Sequence, residues 1–118
     1  MPDSFLFDLG QLSSKPLFVS ETGWPSQAAD STTNEALQAA YFTNLQRTVD
    51  YAKNQGEQIE VVNYLGMIDA PVQTCDMIEQ ILPQDTWWCS LGIRNRDGTP
   101  KLAYAAMKAR SQNLASGH

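Results

Sequence analysis

Apolar residues recur at helical spacing in three segments of the chain. Four of them within residues 4–13 predict a short first helix. A longer helix is predicted over 32–53, where Thr32 and Glu35 fit a capping box and Gly56 follows the end. A last helix is predicted from Thr99-Pro100 to about Leu114, with proline at the first helical position. The core positions predicted on the long helix are Leu37, Tyr41 and Leu45.

Other apolar runs are typical of strands. A buried strand is predicted at Leu17 to Val19, and a second at Ile59 to Met67, which is rich in β-branched and aromatic residues. A helical turn at 76–82 and a short extended piece at 88–94 follow. Because strands alternate with helices, the sequence predicts one α/β domain over 1–118, with parallel strands joined by a crossover helix. A complete (β/α)8 barrel needs about 250 residues, so the chain is too short to form one.

Composition and charge exclude several classes of function. The residues are 42% hydrophobic and 18% charged, which is typical of a globular protein. No apolar run approaches the roughly 20 residues of a membrane span, and the first ten residues do not resemble a signal peptide. A net charge of −5 argues against a nucleic-acid partner. The one histidine is His118, so we expect no histidine triad, no multi-histidine metal site and no cofactor.

Two carboxylates are predicted where the strands end. Glu21 follows the first strand and Asp69 follows the second, and parallel sheets bind ligands at the carboxyl ends of their strands. Trp24, close after Glu21, offers a sugar ring a flat apolar surface. Glu21 is therefore the main candidate for a catalytic residue. The alternative is that Glu21 caps the following turn or pairs with a basic residue.

Two motifs carry a resemblance to a known family. Residues 15–26, KPLFVSETGWPS, resemble the signature of glycoside hydrolase family 17, the β-1,3-glucanases and related glucan-remodelling enzymes, which are retaining (β/α)8 barrels. Residues 97–101, DGTPK, resemble the segment that opens the final helix of many such barrels. The resemblance covers nearly the whole chain and implies partial TIM-barrel-like (β/α) units, from strand seven to helix eight. It also implies Glu21 as nucleophile, β-glucan or a related polysaccharide as substrate, and an extracellular location.

The resemblance further implies that part of the site lies elsewhere. A retaining glycosidase needs a nucleophile and an acid/base carboxyl about 5 Å apart. In the family the acid/base follows strand four, which lies upstream of residue 1, and we interpret Asn34-Glu35 as part of a helix cap. Residues 62–69 loosely resemble the family's strand-eight segment, which makes Tyr64 and Asp69 candidate substrate-binding residues. Catalysis then requires the missing barrel half, or other copies in a homo-oligomer.

The segment after the second strand holds two cysteines and a tryptophan pair. If oxidised, Cys75 and Cys89 close a loop of about 15 residues, which stabilises the fold by roughly 3 kcal/mol; the alternative is two free thiols. Two cysteines without a nearby histidine are too few for a metal site. Trp87 and Trp88 are candidates for sugar stacking, whereas the alternative has one in the core and the other over the loop.

Two further classes of function remain open at this point. One is a non-catalytic α/β domain that binds sugar or protein through Trp24 and the Trp87-Trp88 pair. The other is a structural oligomer that binds no ligand.

Overall fold

Two parallel strands form the sheet in the computed structural model, which describes residues 1–28, 32–83 and 86–117 and so leaves His118 outside the described ranges. Strand β1 (Leu17–Thr22) pairs with β2 (Ile59–Tyr64). Leu17 lies opposite Ile59, and Thr22 lies opposite Tyr64. The mixed α/β class and the parallel pair predicted from the sequence are confirmed.

Within the described ranges the chain forms four α-helices: α1 (Phe5–Gly10), α2 (Glu35–Asn54), α3 (Val72–Ile81) and α4 (Leu102–Ala115). With the strands, their chain order is α1, β1, α2, β2, α3, α4. Helix α2 is the crossover between the strands, and it packs against both α1 and α4. A short 3₁₀ helix, Thr86–Ser90, lies between α3 and α4.

Several predicted boundaries move in the structure. Strand β2 ends at Tyr64 rather than at Met67, because the chain turns at Gly66, whose φ of 77° is a conformation that favours glycine. The predicted helical turn at 76–82 is the longer helix α3. The predicted extended piece at 88–94 is mostly wrong: residues 86–90 form the 3₁₀ helix, and only Arg94 bridges to Ile68 and Pro100.

The start of α2 differs from the predicted capping box. Asn34, not Thr32, is the N-cap, and its Oδ1 accepts a hydrogen bond from the Leu37 amide at 2.9 Å. The Glu35 carboxylate accepts from the Leu102 amide of α4 at 3.2 Å. One acidic side chain thus satisfies a free donor at the start of a different helix. Helix α4 correspondingly begins at Leu102, two residues later than predicted.

The buried stripe of α2 is also rotated from the predicted one. Leu45 is buried as predicted, but Tyr41 is only partly buried and Leu37 is 46% exposed. Both α1 and α4 pack against α2, and two apolar clusters, one around Leu45 and one around Phe42, meet along its buried stripe. The fully buried residues of α2 are Gln38, Phe42, Leu45, Thr48 and Ala52.

The two faces of the sheet have different surroundings. Leu17, Val19 and Val62 pack against the cluster around Leu45, on the helix side. On the other face Phe18 is 65% exposed and Val61, its partner in the register, is 39% exposed. Parallel sheets are usually covered on both faces, but within the described ranges no element covers this one. None of the described helices is long and apolar enough to span a membrane.

Candidate functional site

Glu21 lies at a bulge near the carboxyl end of β1. Val19 pairs with Val62 and Thr22 with Tyr64, so Ser20 and Glu21 together lie opposite the single residue Asn63. The Asn63 side-chain amide donates to the Ser20 carbonyl at 3.0 Å and so occupies the irregular position. A bulge bends a strand and redirects its side chains. Here it leaves Glu21 exposed at the strand end.

The Glu21 carboxylate has no hydrogen bond or ion pair with any other residue in the described part of the chain. The alternatives of a turn cap and of pairing with a basic residue therefore find no support among these residues. Glu21 borders a groove of about 360 Å³ between β1 and α1, whose apolar wall includes Phe5, Leu9 and Phe18. An open carboxylate beside an apolar groove is free to meet a ligand or another protein segment.

The residues that follow Glu21 are firmly anchored. The Thr22 hydroxyl hydrogen-bonds the Tyr41 hydroxyl of α2. The Trp24 indole stacks on the Tyr41 ring with centroids 5.3 Å apart, and its Nε1 donates to the Thr33 hydroxyl at 2.9 Å. One face of Trp24 is thus committed to Tyr41, and 41% of the residue stays exposed. These contacts fix the backbone that carries Glu21.

Gln38 is a second anchor that the sequence did not reveal. Its side chain is fully buried, and its Nε2 lies 2.8 Å from the Trp24 carbonyl oxygen and 3.1 Å from that of Gly92. The amide therefore ties the loop after β1 to the segment before α4. Gln38 precedes Phe42 and Leu45 at helical spacing, so its burial could have been predicted from its position on the same face of the helix.

Asp69 is held in a buried ion pair rather than beside Glu21. Its Oδ1 accepts from Lys101 Nζ at 2.6 Å and from the Gly92 amide at 3.0 Å. Lys101 Nζ also donates to the Ser26 hydroxyl at 2.9 Å, and 1% of the lysine side chain is exposed. Lys101 is another residue that the sequence reading missed, since a lysine at a helix start gives no sign of burial.

Asp69 borders a different cavity from the one beside Glu21. This larger cavity, of about 610 Å³, is lined mainly by polar side chains, and neither Glu21 nor Trp24 contributes to its wall. The two carboxylates predicted at the strand ends are therefore not brought to one cavity. Other residues that line the larger cavity include Gln27, Glu79, Cys89, Asn95 and Arg96.

Tyr64 points into the helix side of the sheet. It shares that face with Val62, and its ring meets Phe42 edge to face at 5.3 Å. Burial raises the pKa of the Tyr64 hydroxyl, with Tyr41 adding to the rise and Arg110 opposing it. The structure thus places this candidate substrate-binding residue among core side chains. The physical reason is the alternation of a strand, which sends residues 62 and 64 to the same face.

Trp87 and Trp88 stack on each other within the 3₁₀ helix. Their ring centroids are 4.5 Å apart and the planes are inclined by 24°. Trp88 is 40% exposed and Trp87 is partly buried. Neither ring lies fully in the core, whereas the alternative to sugar stacking placed one of them there. The exposed part of Trp88 remains available to a ligand.

Cys75 and Cys89 form a disulfide bond between α3 and the 3₁₀ helix. The alternative of two free thiols is therefore not what the structure contains. The residues in the described ranges contain no group of three or more His, Cys, Asp or Glu side chains that could hold a metal ion.

No protein-family model matches this chain, and no curated protein is significantly similar to it.

Proposed function

We propose that this chain is the strand-seven to helix-eight part of a retaining β-glucan hydrolase or transglycosylase, with Glu21 as its nucleophile. The KPLFVSETGWPS resemblance supports this reading, as does the β1-α2-β2 unit in which the motif ends the first strand. The observation that carries the proposal is the Glu21 carboxylate. It stands exposed at the carboxyl end of a parallel strand, without a partner among the described residues, while Thr22 and Trp24 anchor the backbone behind it.

The chemistry requires a second carboxyl. Glu21 attacks the anomeric carbon, the bond to the leaving oxygen breaks, and a glycosyl ester forms on the Glu21 carboxylate. An acid must protonate the leaving oxygen, which is typically worth 10²–10⁴-fold in rate. Water then releases the sugar from this ester in hydrolysis, whereas a sugar hydroxyl does so in transfer.

Neither Asp69 nor Glu35 is placed to be that acid. Asp69 is paired with Lys101 at another cavity, and the Glu35 carboxylate accepts a hydrogen bond at the start of α4.

The uncovered sheet face supports a partner that supplies this second carboxyl. Phe18 and Val61 lie exposed side by side on it, and a parallel sheet of two strands is far below the usual size. The missing barrel half would cover this face and bring the acid/base residue. A second copy of the chain is the other source, and the mass of the chain in sedimentation equilibrium separates a monomer from a homo-oligomer.

A leaving group that needs no proton tests the nucleophile directly. We expect 2,4-dinitrophenyl 2-deoxy-2-fluoro-β-laminaribioside to esterify Glu21, because dinitrophenolate departs without acid assistance and the fluorine slows release. Mass spectrometry of the intact chain and of its peptides locates the ester. Glu60, an exposed glutamate on β2, gives the matched control. The ester should form in the wild-type chain and in Glu60→Gln but not in Glu21→Gln. A folded wild-type chain without an ester on Glu21 would contradict the proposal.

Sugar binding without catalysis is the second candidate function. Trp24 and Trp88 each leave about two fifths of their surface exposed, and aromatic rings stack on the apolar faces of sugars. Titration with laminarin, followed by tryptophan fluorescence, measures this binding. Under this candidate Trp88→Ala weakens binding and Glu21→Gln does not, and no ester forms on Glu21.

A further inference from the structure

Helix α3 is weakly attached to the rest of the molecule. Among the described elements it packs chiefly against the 3₁₀ helix, and Cys75 is its one fully buried residue. Val72, Met77 and Ile81 are each more than half exposed. Burial of apolar side chains therefore contributes little to holding this helix in place.

The helix also lacks the usual stabilisation at its ends. Pro71 precedes it and gives no side-chain hydrogen bond to its amides. No acidic residue lies in the first turn and no basic residue in the last, so the helix dipole is not offset. Isolated helices shorter than about 12–15 residues are marginal in water, and α3 has 10 residues. Its conformation must depend on tethers to other segments.

Two tethers meet around the start of α3. The first is the Cys75–Cys89 disulfide. The second is Arg96, whose Nε donates to the Ala70 carbonyl at 2.6 Å and whose terminal nitrogen lies 3.1 Å from Cys75 Sγ. The 610 Å³ cavity that Asp69 borders is lined by Cys89, by Arg96 and, from α3, by Glu79. The disulfide therefore closes one wall of that cavity.

We propose that the Cys75–Cys89 disulfide is a redox-controlled clamp that holds α3 against the cavity. A dithiol reductant attacks the sulfur of Cys89, a partly exposed residue, which breaks the S–S bond and releases Cys75 as a thiolate. The second thiol of the reductant then displaces Cys89. Two protein thiols form, and the reductant becomes a disulfide. The released α3 frays, and the cavity loses the part of its wall that Glu79 forms.

The remainder of the fold does not depend on this clamp. Neither of the two core clusters, around Leu45 and around Phe42, contains a residue of α3. Reduction should therefore loosen α3 alone, leaving the sheet, α2 and α4 folded. That selectivity distinguishes a switch from a disulfide on which the entire fold depends.

Hydrogen–deuterium exchange of the full chain, with and without dithiothreitol, tests the clamp. We expect the amides of residues 76–81 to exchange at least tenfold faster in the reduced chain, with the amides of α2 and α4 changed less than twofold. Unchanged exchange in α3 would overturn the proposal. Equal acceleration in α2 and α4 would overturn it as well, because the disulfide would then support the whole fold.

The double variant Cys75→Ser/Cys89→Ser provides the matched control. Without any reductant its α3 amides should exchange at the rate of the reduced wild-type chain, and dithiothreitol should not change that rate. Exchange at the oxidised wild-type rate would show that α3 needs no clamp. A response of the variant to dithiothreitol would show that the reductant acts elsewhere, and either result overturns the proposal.

Discussion

Lys101 places its ammonium 2.6 Å from Oδ1 of Asp69, and the pair joins the start of α4 to the segment after β2. Only 1% of the lysine side chain and 13% of the aspartate side chain are exposed. Lys101 Nζ also donates to the Ser26 hydroxyl and, at 3.4 Å, to the Ser90 carbonyl, and Asp69 accepts from the Gly92 amide. Removal of either charge would leave the other unpaired in the interior, where an uncompensated charge is strongly unfavourable.

Loss of the Lys101 charge should therefore be costly. We expect Lys101→Met to lower the free energy of unfolding by about 3–5 kcal/mol in urea denaturation. Lys108→Met on the exposed side of α4 is the control and should change it by less than about 0.5 kcal/mol. Asp69→Asn, combined with Lys101→Met, should cost much less than the sum of the two single changes. Simple additivity would show that the ion pair is not coupled.

Gln38 should contribute through its amide donor. Gln38→Leu leaves the carbonyls of Trp24 and Gly92 without this donor, which we expect to cost about 1–3 kcal/mol of unfolding free energy. Gln38→Glu should cost more, because a carboxylate would face carbonyl oxygens in the interior. Gln112→Leu, on an exposed part of α4, is the comparison in the same thermal or urea assay. If Gln38→Leu were as harmless as Gln112→Leu, the amide would not be an anchor.

Tyr64 makes stability fall at alkaline pH. Its pKa in the folded chain is raised above the ordinary value of 10.0, chiefly by burial. Above pH 10 the unfolded chain therefore loses this proton before the folded chain does, and the free energy of unfolding falls as pH rises further. Urea titrations between about pH 8 and pH 11 measure the decline. It should be smaller in Tyr64→Phe than in Tyr51→Phe, where Tyr51 is 38% exposed. Equal declines would refute the assignment to Tyr64.

Gly92 is required by close backbone contact. A Cβ at this position would overlap backbone atoms of Ile68 and Asp69. We expect Gly92→Ala to cost more than about 3 kcal/mol, as steric conflicts in the interior do. Gly98 has a φ of 84° with no atom within 4 Å of an added Cβ, so Gly98→Ala should cost about 1 kcal/mol of backbone strain. Similar midpoints for the two variants in urea would contradict the packing described around Asp69.

The parts of the fold that follow from local patterns could be predicted from the sequence. Both strands and α2 come from apolar runs and helical spacing, and the alternation of strand and helix gives the parallel pair. The buried face of α2 could not be predicted in full, because it depends on α4, which packs from the far end of the chain. Gln38 is likewise buried because segments distant in the chain, which carry Trp24 and Gly92, close over it, whereas Leu37 is exposed, the reverse of their hydropathy.

In the candidate site, too, some features follow from local sequence patterns and others depend on packing between distant segments. The motif predicted Glu21 at the end of a strand, and the strand end is where Glu21 lies. Asp69 was predicted at a strand end and Tyr64 came from the resemblance of residues 62–69, but alternation along β2 turns Tyr64 to the buried face, and Asp69 pairs with Lys101. Lys101 and Ser26 meet Asp69 only because three distant segments converge. No local pattern encodes such convergence.

Helix α2 lies between the paired strands in the chain, and its contacts are local, whereas pairing of Leu17 with Ile59 closes a loop across the whole helix. Because contacts between distant residues cost more chain entropy than local ones, we expect α2 to be largely formed in the folding transition state, ahead of the strand pairing. Substitution of glycine at an exposed position of α2, as in Ala36→Gly, should then slow refolding in stopped-flow measurements more than it speeds unfolding.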